Sequence, residues 1–281
     1  MIISVIVPVL NRASLIEASI WSLLRQKGPF TMDVIVVDDG STDGTGELVS
    51  VFANTDARVR AFHQANLGIA AARNTGLANI HPTARFVSFL DSDDLCINDR
   101  FRRDLSFLIQ HPDLAATYGR ALVTDRYDAT QTAPATDARQ ADVTTIHVGC
   151  ALIRRDVLDQ IGTFDTRFIQ GEDTDFLLRL FETGLPILQT NTPCLTYLRH
   201  LGNITNQSEI SHQFFEMAIR ESQRRRAQNP AIRLRTPQFN FSELFETGLY
   251  PTLDADFVKT ALDQIADGNL TKEASLEPSS A

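Results

Sequence analysis

The sequence predicts an open α/β sheet, mostly parallel, flanked by helices. Short runs rich in β-branched residues, such as residues 2–9 and 34–37, have the composition of strands that are buried on both faces. These runs alternate with helical patterns, and polar residues follow the end of each run. Because ligands bind such sheets at the carboxyl ends of the strands, we expect a binding site along that edge.

The predicted elements follow one another in a regular order. In the first half, strands fall at residues 2–9, 34–37, 59–62 and 85–90, and they alternate with helices near 15–26, near 45–53 and around Arg73. In the second half, a helix near 98–110 precedes strands around 114–126, 143–153, 186–188 and 195–198, with one further helix opening at Glu172. From about residue 208 the pattern becomes helical.

Composition narrows the class of protein. A chain of 281 residues with 43% hydrophobic content can bury a large core. Its net charge of −9 argues against a nucleic-acid partner, and an anionic substrate would need local cations, helix N-termini or a metal ion. The three cysteines have no C-x-x-C spacing, which argues against a zinc site or a disulfide framework.

The N-terminus lacks a basic region, and its apolar run is too short for a signal peptide or a membrane span. We therefore expect a cytoplasmic protein without a transmembrane segment, for which peripheral contact with a membrane stays open.

An unusual concentration of carboxylates follows the strand at 85–90, in the sequence Asp91-Ser92-Asp93-Asp94. Alternation along an extended chain places Asp91 and Asp93 on one face and Asp94 on the other. Two carboxylates on one face suit a divalent cation, which would in turn attract phosphates. The alternative is a turn whose aspartates only cap neighbouring backbone groups.

A second acidic group opens the helix at Glu172-Asp173. Asp173 shares a face with apolar residues at offsets of three, four and seven, so it should point inward. A helix N-terminus stabilises an ionised carboxylate, which makes Asp173 a candidate general base. The alternative is that these residues and Asp175 only stabilise the helix dipole.

Several segments together resemble the family 2 inverting glycosyltransferases, which have a GT-A fold. They occur in the order and rough spacing of that family, at residues 5–11, 36–43, 66–74, 90–94 and 171–173. The resemblance covers roughly residues 3–202 and implies a GT-A domain at 1–205. Within it, a Rossmann-like nucleotide-sugar-binding half spans 1–95 and an acceptor and catalytic half spans 96–205. We expect a helical C-terminal extension at 206–267 and a disordered tail at 268–281.

The resemblance also implies roles for individual residues. Asp39 would hydrogen-bond the nucleobase, Asp93 would coordinate Mn²⁺ or Mg²⁺, and Asp173 would be the catalytic base. His200 would be a further metal or phosphate ligand, with a solvated or core histidine as the alternative. Glu172 would lie on the acceptor side. The donor-binding residues implied are Pro8, Val9, Asn11, Asp39, Arg73, Asp91 and Ser92.

The implied activity is metal-dependent, inverting transfer of one sugar from a nucleoside-diphosphate sugar, preferably a UDP-sugar, to a hydroxyl acceptor. The acceptor would be a saccharide, a lipid-linked sugar or another hydroxyl compound in polysaccharide or glycoconjugate synthesis. Single-sugar transfer is favoured because the Q-x-x-R-W element of processive synthases is missing. Two alternatives stay open. One is a nucleotidyltransferase, although the expected glycine-rich, basic phosphate loop is absent. The other is a non-catalytic protein that binds nucleotide sugars.

Overall fold

A computed structural model describes residues 1–250 and 254–265 of the chain. The predicted disordered tail at 268–281 lies outside the described residues. In chain order the elements are β1 (Ile2–Val9), α1 (Ile16–Leu24), β2 (Thr31–Asp38), α2 (Thr45–Thr55), β3 (Val59–His63), α3 (Ile69–Ala78), β4 (Ala84–Phe89), β5 (Leu95–Cys96), α4 (Arg100–Gln110), β6 (Ala116–Thr124), β7 (Tyr127–Asp128), β8 (Ala133–Pro134), β9 (Gln140–Val143), β10 (Ala151–Arg154), α5 (Leu158–Ile161), α6 (Glu172–Glu182), β11 (Ile187–Leu198), α7 (Ser208–Gln228), α8 (Ser242–Thr247) and α9 (Ala255–Ile265).

The main sheet confirms the predicted fold class. Its strand order is β3-β2-β1-β4-β10-β6-β11-β5, with β9 paired to β6. The strands β1 to β4 are parallel to one another, as their alternation with helices predicts. In the second half, β10 runs antiparallel to both β4 and β6, and β5 runs antiparallel to β11, while β6 and β11 are parallel. The sheet is therefore mixed, and three of its four parallel pairs lie among β1 to β4.

The core beneath the candidate site is aromatic. Phe164 stacks on Phe176 with ring centroids 4.2 Å apart, and the edge of Phe89 meets both rings. These three side chains are buried and come from three different segments, so they hold β4, the loop before α6 and α6 itself together. The amide of Asn74 adds a reciprocal pair of hydrogen bonds to the backbone of Phe164, at 2.8 and 2.9 Å. The start of α6 is thus fixed against the sheet.

The C-terminal helices pack on this body through charged pairs as well as apolar contacts. Arg225 of α7 pairs with Asp175 at 2.8 Å and with Glu182 at 2.6 Å, both on α6. Within residues 1–250 and 254–265, we find no helix that is both long and apolar enough to cross a bilayer. The domain boundary at residue 205 stays a prediction.

Candidate functional site

A cavity of about 600 Å³ opens at the carboxyl ends of the parallel strands and extends toward the C-terminal helices. Loops after β1, β2 and β4 form one wall, and the N-terminus of α6 forms the other. All seven residues that the sequence predicts to bind the donor line this cavity, and so do the acids Asp93, Glu172 and Asp173. His200 is not among the lining residues, although it contacts Asp93.

At the end of the cavity formed by the loops after β1 and β2, Asp39 is buried and organises the loop before α3. One of its carboxylate oxygens accepts from the Gln64 amide at 2.8 Å and from the Leu67 backbone N–H at 2.9 Å. The other accepts from the Gly68 backbone N–H at 2.8 Å. A carboxylate offers about four lone-pair sites, so Asp39 retains capacity for one more hydrogen bond.

The loop after β1 is held in place by Asn11, which adopts a left-handed backbone conformation with φ of 53°. The Asn11 side chain accepts from the Thr42 backbone N–H at 2.8 Å, and the Asn11 backbone N–H donates to the Ser41 hydroxyl at 2.9 Å. These two hydrogen bonds connect the loop after β1 to the loop after β2 at one end of the cavity.

Arg73 connects the loop after β4 to the N-terminus of α6. Its buried guanidinium donates to Asp91 at 2.7 Å and to Glu172, and it lies 5.4 Å from the Phe164 ring centroid. One cation therefore serves two carboxylates. Burial raises the pKa of Asp91, but the charge of Arg73 and the hydrogen bond from His147 outweigh it and hold that pKa well below its ordinary value. Burial raises the pKa of Glu172 to about 7 against the opposing effect of Arg73.

This shift predicts a pH dependence of stability. Glu172 binds its proton more tightly in the folded chain than in the unfolded chain, so its contribution is favourable at low pH and is lost as pH rises from 4.5 toward about 7. We expect Glu172→Gln to reduce the fall in thermal stability across that pH range. Thermal unfolding at a series of pH values tests this, with the exposed Glu17→Gln as control. An unaltered pH profile in Glu172→Gln would contradict the shift.

Asp93 lies between the side chains of Arg12 and His200. One carboxylate oxygen of Asp93 accepts hydrogen bonds both from Nε of Arg12, at 3.3 Å, and from Nε2 of His200, at 3.0 Å. Arg12 also donates to the backbone carbonyl of Gly202 at 2.9 Å, so it bridges the cleft from the β1 loop to the loop after β11. Because Nδ1 of His200 accepts the Gly202 backbone N–H, Nε2 carries the proton and acts as a donor here.

A second cluster consists of Asp91, Asp94 and His147, with one potential ligand atom from each lying within 4.8 Å of the others. Asp94 is fully buried, and one of its carboxylate oxygens has no hydrogen-bond partner in the described part of the chain. Burial, together with the charges of Asp93 and Asp91, raises the pKa of Asp94 well above its ordinary value. An unpartnered buried oxygen next to further carboxylates fits a divalent cation, which prefers such ligands.

His147 is the residue that the sequence reasoning missed. Its Nδ1 accepts the Gly149 backbone N–H at 3.0 Å, so the proton lies on Nε2, which faces Asp91 at 3.4 Å and Asp94 at 3.7 Å. In this arrangement the Nε2–H of His147 faces Asp91 and Asp94 and leaves the buried Asp94 oxygen without a hydrogen bond from any described residue, and a role as metal ligand would require that proton to move. An isolated histidine between strands carries no spacing signal that could have identified it.

The three acids at the start of α6 have different environments. Glu172 pairs with Arg73, and Asp175 pairs with Arg179 at 3.0 Å, as its spacing predicts. Asp173 is half-buried, lines the cavity and accepts only the Thr174 backbone N–H, at 2.8 Å, among the contacts of the described residues. Asp173 is therefore the acid of this turn that is placed to meet a ligand.

Comparison with known proteins agrees with this geometry. Residues 4–162 match the family described as "Glycosyl transferase family 2". A Bacillus subtilis glycosyltransferase, TuaG, whose name provisionally assigns it to teichuronic acid biosynthesis, is 36% identical over 110 residues, which cover 39% of this chain and 42% of TuaG. The chain spans less than two thirds of the length of the curated relatives that it matches.

Two solved structures share the fold. Residues 1–349 of S. aureus TarS, in complex with UDP-GlcNAc, align with a TM-score of 0.62 and 22% identity, over 79% of this chain and 66% of that chain. The mannosyltransferase PcManGT from Pyrobaculum calidifontis, in complex with GDP-Man and Mn²⁺, aligns with a TM-score of 0.61 and 19% identity, over 93% and 73%. The family match covers more than half of the chain, so the protein belongs to glycosyl transferase family 2.

Proposed function

We propose that this protein is a metal-dependent, inverting glycosyltransferase that moves one sugar from a UDP-sugar to a hydroxyl acceptor. The observation that carries the proposal is the position of Asp173, an acid with no arginine partner among the described residues, in the same cavity as Asp39 and Asp93. A base, a nucleotide wall and a metal-binding acid in one cavity are the parts that such a transfer needs.

The donor end suits a nucleobase that presents an N–H group. The remaining lone-pair site of Asp39 can accept one hydrogen bond, and uracil offers an imide N–H. UDP-GlcNAc bound to TarS supports this preference. Guanine also presents an N–H, and PcManGT was solved with GDP-Man, so GDP-mannose belongs in any donor test.

Carboxylates of Asp91, Asp93 and Asp94 are the candidate ligands for Mn²⁺ or Mg²⁺. We keep His200 as a proposed further ligand, which requires the proton on its Nε2 to move. A divalent cation bound there would neutralise negative charge on the leaving diphosphate. Arg12 contributes a fixed positive charge at the same place, since its guanidinium already reaches Asp93. Arg73 holds Asp91 and Glu172 in position rather than offering a free charge to the nucleotide.

In the proposed reaction, Asp173 accepts the proton of the acceptor hydroxyl. The acceptor oxygen forms its bond to the anomeric carbon as the bond from that carbon to the diphosphate oxygen breaks, which inverts the configuration. Asp173 lies in the first turn of α6, where the positive end of the helix dipole faces it. Glu172 is buried against Arg73. We therefore assign Glu172, on the acceptor side of the site, the role of positioning that arginine.

A donor screen tests the proposal. The protein is mixed with UDP-GlcNAc, UDP-glucose or GDP-mannose, with Mn²⁺ or with EDTA, and thermal shift and nucleotide release are recorded. We expect stabilisation by a UDP-sugar only with metal, of about 2.7 kcal/mol at a donor concentration about 100 times Kd, and release of UDP. Transfer of a nucleoside monophosphate would instead identify a nucleotidyltransferase. Metal-dependent binding of a nucleotide sugar without release of nucleotide, whether or not an acceptor is added, would identify a non-catalytic binding protein.

A further inference from the structure

The cavity continues beyond the donor end into a compartment that we call the aromatic chamber. It is formed by described residues of α7, α8 and α9 and by Phe241 and Tyr250, which flank α8, and it is lined by Phe215, Phe241, Leu244, Tyr250, Phe257 and Val258. The ring of Phe257 stacks on His212 at 4.1 Å and lies 5.9 Å from the ring of Phe215. The chamber belongs to the same cavity as Asp173. An acceptor whose hydroxyl lies at Asp173 can therefore place the rest of its structure in the chamber.

The two parts of the cavity differ in charge. Among its described lining residues, every Asp, Glu and Arg lies between positions 12 and 173, and none lies beyond residue 200. Two of the polar side chains that line the cavity beyond residue 200, Asn203 and Thr205, already accept hydrogen bonds from the His200 backbone N–H and from Arg199. The Ser211 hydroxyl donates to the Gln170 side chain at 2.7 Å, and Nε2 of His212 is buried without a hydrogen-bond partner in the described part of the chain. An uncharged ligand surface is therefore expected here.

No arginine or lysine beyond residue 200 is among the described lining residues of the cavity. Arg199 lies 3.8 Å from the Tyr250 ring centroid, but it does not line the cavity and it already donates to Thr205 and Asn206. Three of the four arginines of α7 pair with acids: Arg220 with Glu216 at 2.7 Å, Arg224 with Glu221 at 2.6 Å, and Arg225 with α6. The fourth, Arg226, donates to the Gln264 carbonyl at 3.4 Å and does not line the cavity. A saccharide would bury several hydroxyl groups against aromatic and aliphatic walls, and each hydroxyl without a partner would oppose binding. A hydrocarbon chain needs neither a cation nor hydrogen-bond partners.

Apolar side chains continue from the chamber to the protein surface. Ile169 and Ile204 line the cavity and are nevertheless 64% and 46% exposed, and Leu201, one residue before the lining residue Gly202, is fully exposed. Exposed apolar side chains at the rim of a cavity mark a site for an apolar ligand more often than single ones elsewhere on a surface. They provide a path by which a chain too long for the chamber can leave it.

We infer that the acceptor is an amphiphile whose hydroxyl reaches Asp173 while a hydrocarbon chain fills the aromatic chamber and leaves over Ile169, Leu201 and Ile204. This inference rests on the proposed function and names its acceptor class. The chain binds as part of a single acceptor molecule, because the chamber is a compartment of the catalytic cavity rather than a flat surface.

Binding of n-alkyl β-D-glucosides tests the inference without knowledge of the natural acceptor. Methyl, butyl, hexyl and octyl glucosides are titrated by calorimetry, below their micelle-forming concentrations, into protein with UDP and Mn²⁺. We expect Kd to fall by up to about fourfold for each added methylene until the chamber is filled. Ile204→Ser at the rim and Phe257→Ser in the chamber should each weaken octyl glucoside by roughly tenfold and leave UDP binding unchanged.

Val51→Ser is the matched control, because Val51 is 57% exposed on α2 and does not line the cavity. Equal affinity along the alkyl series would overturn the inference, and so would an equal loss in Val51→Ser, which would indicate non-specific binding. Ile204→Ser keeps the test decisive if Phe257→Ser fails to fold. UDP binding is recorded in the same samples. Its absence in wild-type protein contradicts the proposed function, whereas normal UDP binding without a chain-length effect contradicts only the acceptor class.

Discussion

Asp93→Asn is expected to weaken UDP-GlcNAc binding in the presence of Mn²⁺ by more than about 100-fold. Asparagine keeps the shape of the side chain but loses the negative charge that a divalent cation requires. The fold should persist, because Asp93 contacts Arg12 and His200 at the cavity rather than a core segment. Calorimetric titration of donor with Mn²⁺ and with EDTA measures the effect.

A remote acid provides the control for that change. The Asp137 side chain is 73% exposed and pairs only with Arg126 among the described residues, so Asp137→Asn removes one charge far from the cavity. We expect it to bind donor as the wild-type protein does. Wild-type donor affinity in Asp93→Asn, still dependent on Mn²⁺, would contradict the assignment of Asp93 and would direct attention to Asp91, Asp94 and His147.

Asp173→Asn is expected to lower the rate of sugar transfer by about 10²–10⁴-fold, the usual contribution of a general base. An amide cannot take the proton of the acceptor hydroxyl. Donor affinity should change little, because Asp173 accepts only a neighbouring backbone N–H among the contacts of the described residues. Initial rates of UDP release with a saturating alkyl glucoside acceptor, together with donor titrations, separate the two effects.

The matched control for Asp173→Asn is Glu17→Gln, which removes an exposed acid from the first turn of another helix, α1. This control accounts for the loss of a charge near a helix N-terminus. It should transfer sugar at the wild-type rate. A fully active Asp173→Asn would exclude Asp173 as the base, and a parallel loss of donor binding would assign it to the donor site instead.

Local sequence pattern was sufficient to predict the first half of the sheet, β1 to β4. Buried β-branched runs alternating with helices predict β1 to β4 as parallel strands, and polar residues at their ends predict where the cavity lies. The direction of β10 was not predictable in this way, because hydrophobic alternation is the same for a strand read in either direction. Its insertion between β4 and β6 depends on long-range pairing.

The site shows the same division. The family resemblance located the acids, and the structure brings Asp39, Asp93 and Asp173 into one cavity. The family resemblance did not indicate that Arg73 is shared between Asp91 and Glu172, which lie 18 and 99 residues away in sequence. His147 was missed because its partners also come from other segments. The roles of these residues stay predictions until the variants are measured.

The measurement that bears most directly on Asp173 as the base of a single displacement is the configuration of the sugar at the moment of release. UDP-GlcNAc, which is α-linked, is incubated with the protein and Mn²⁺ so that water serves as the acceptor, and the product is followed by ¹H NMR before mutarotation. Direct attack by an oxygen that Asp173 has deprotonated predicts that the β-anomer appears first. The α-anomer as first product would require a double displacement and would contradict the proposed mechanism.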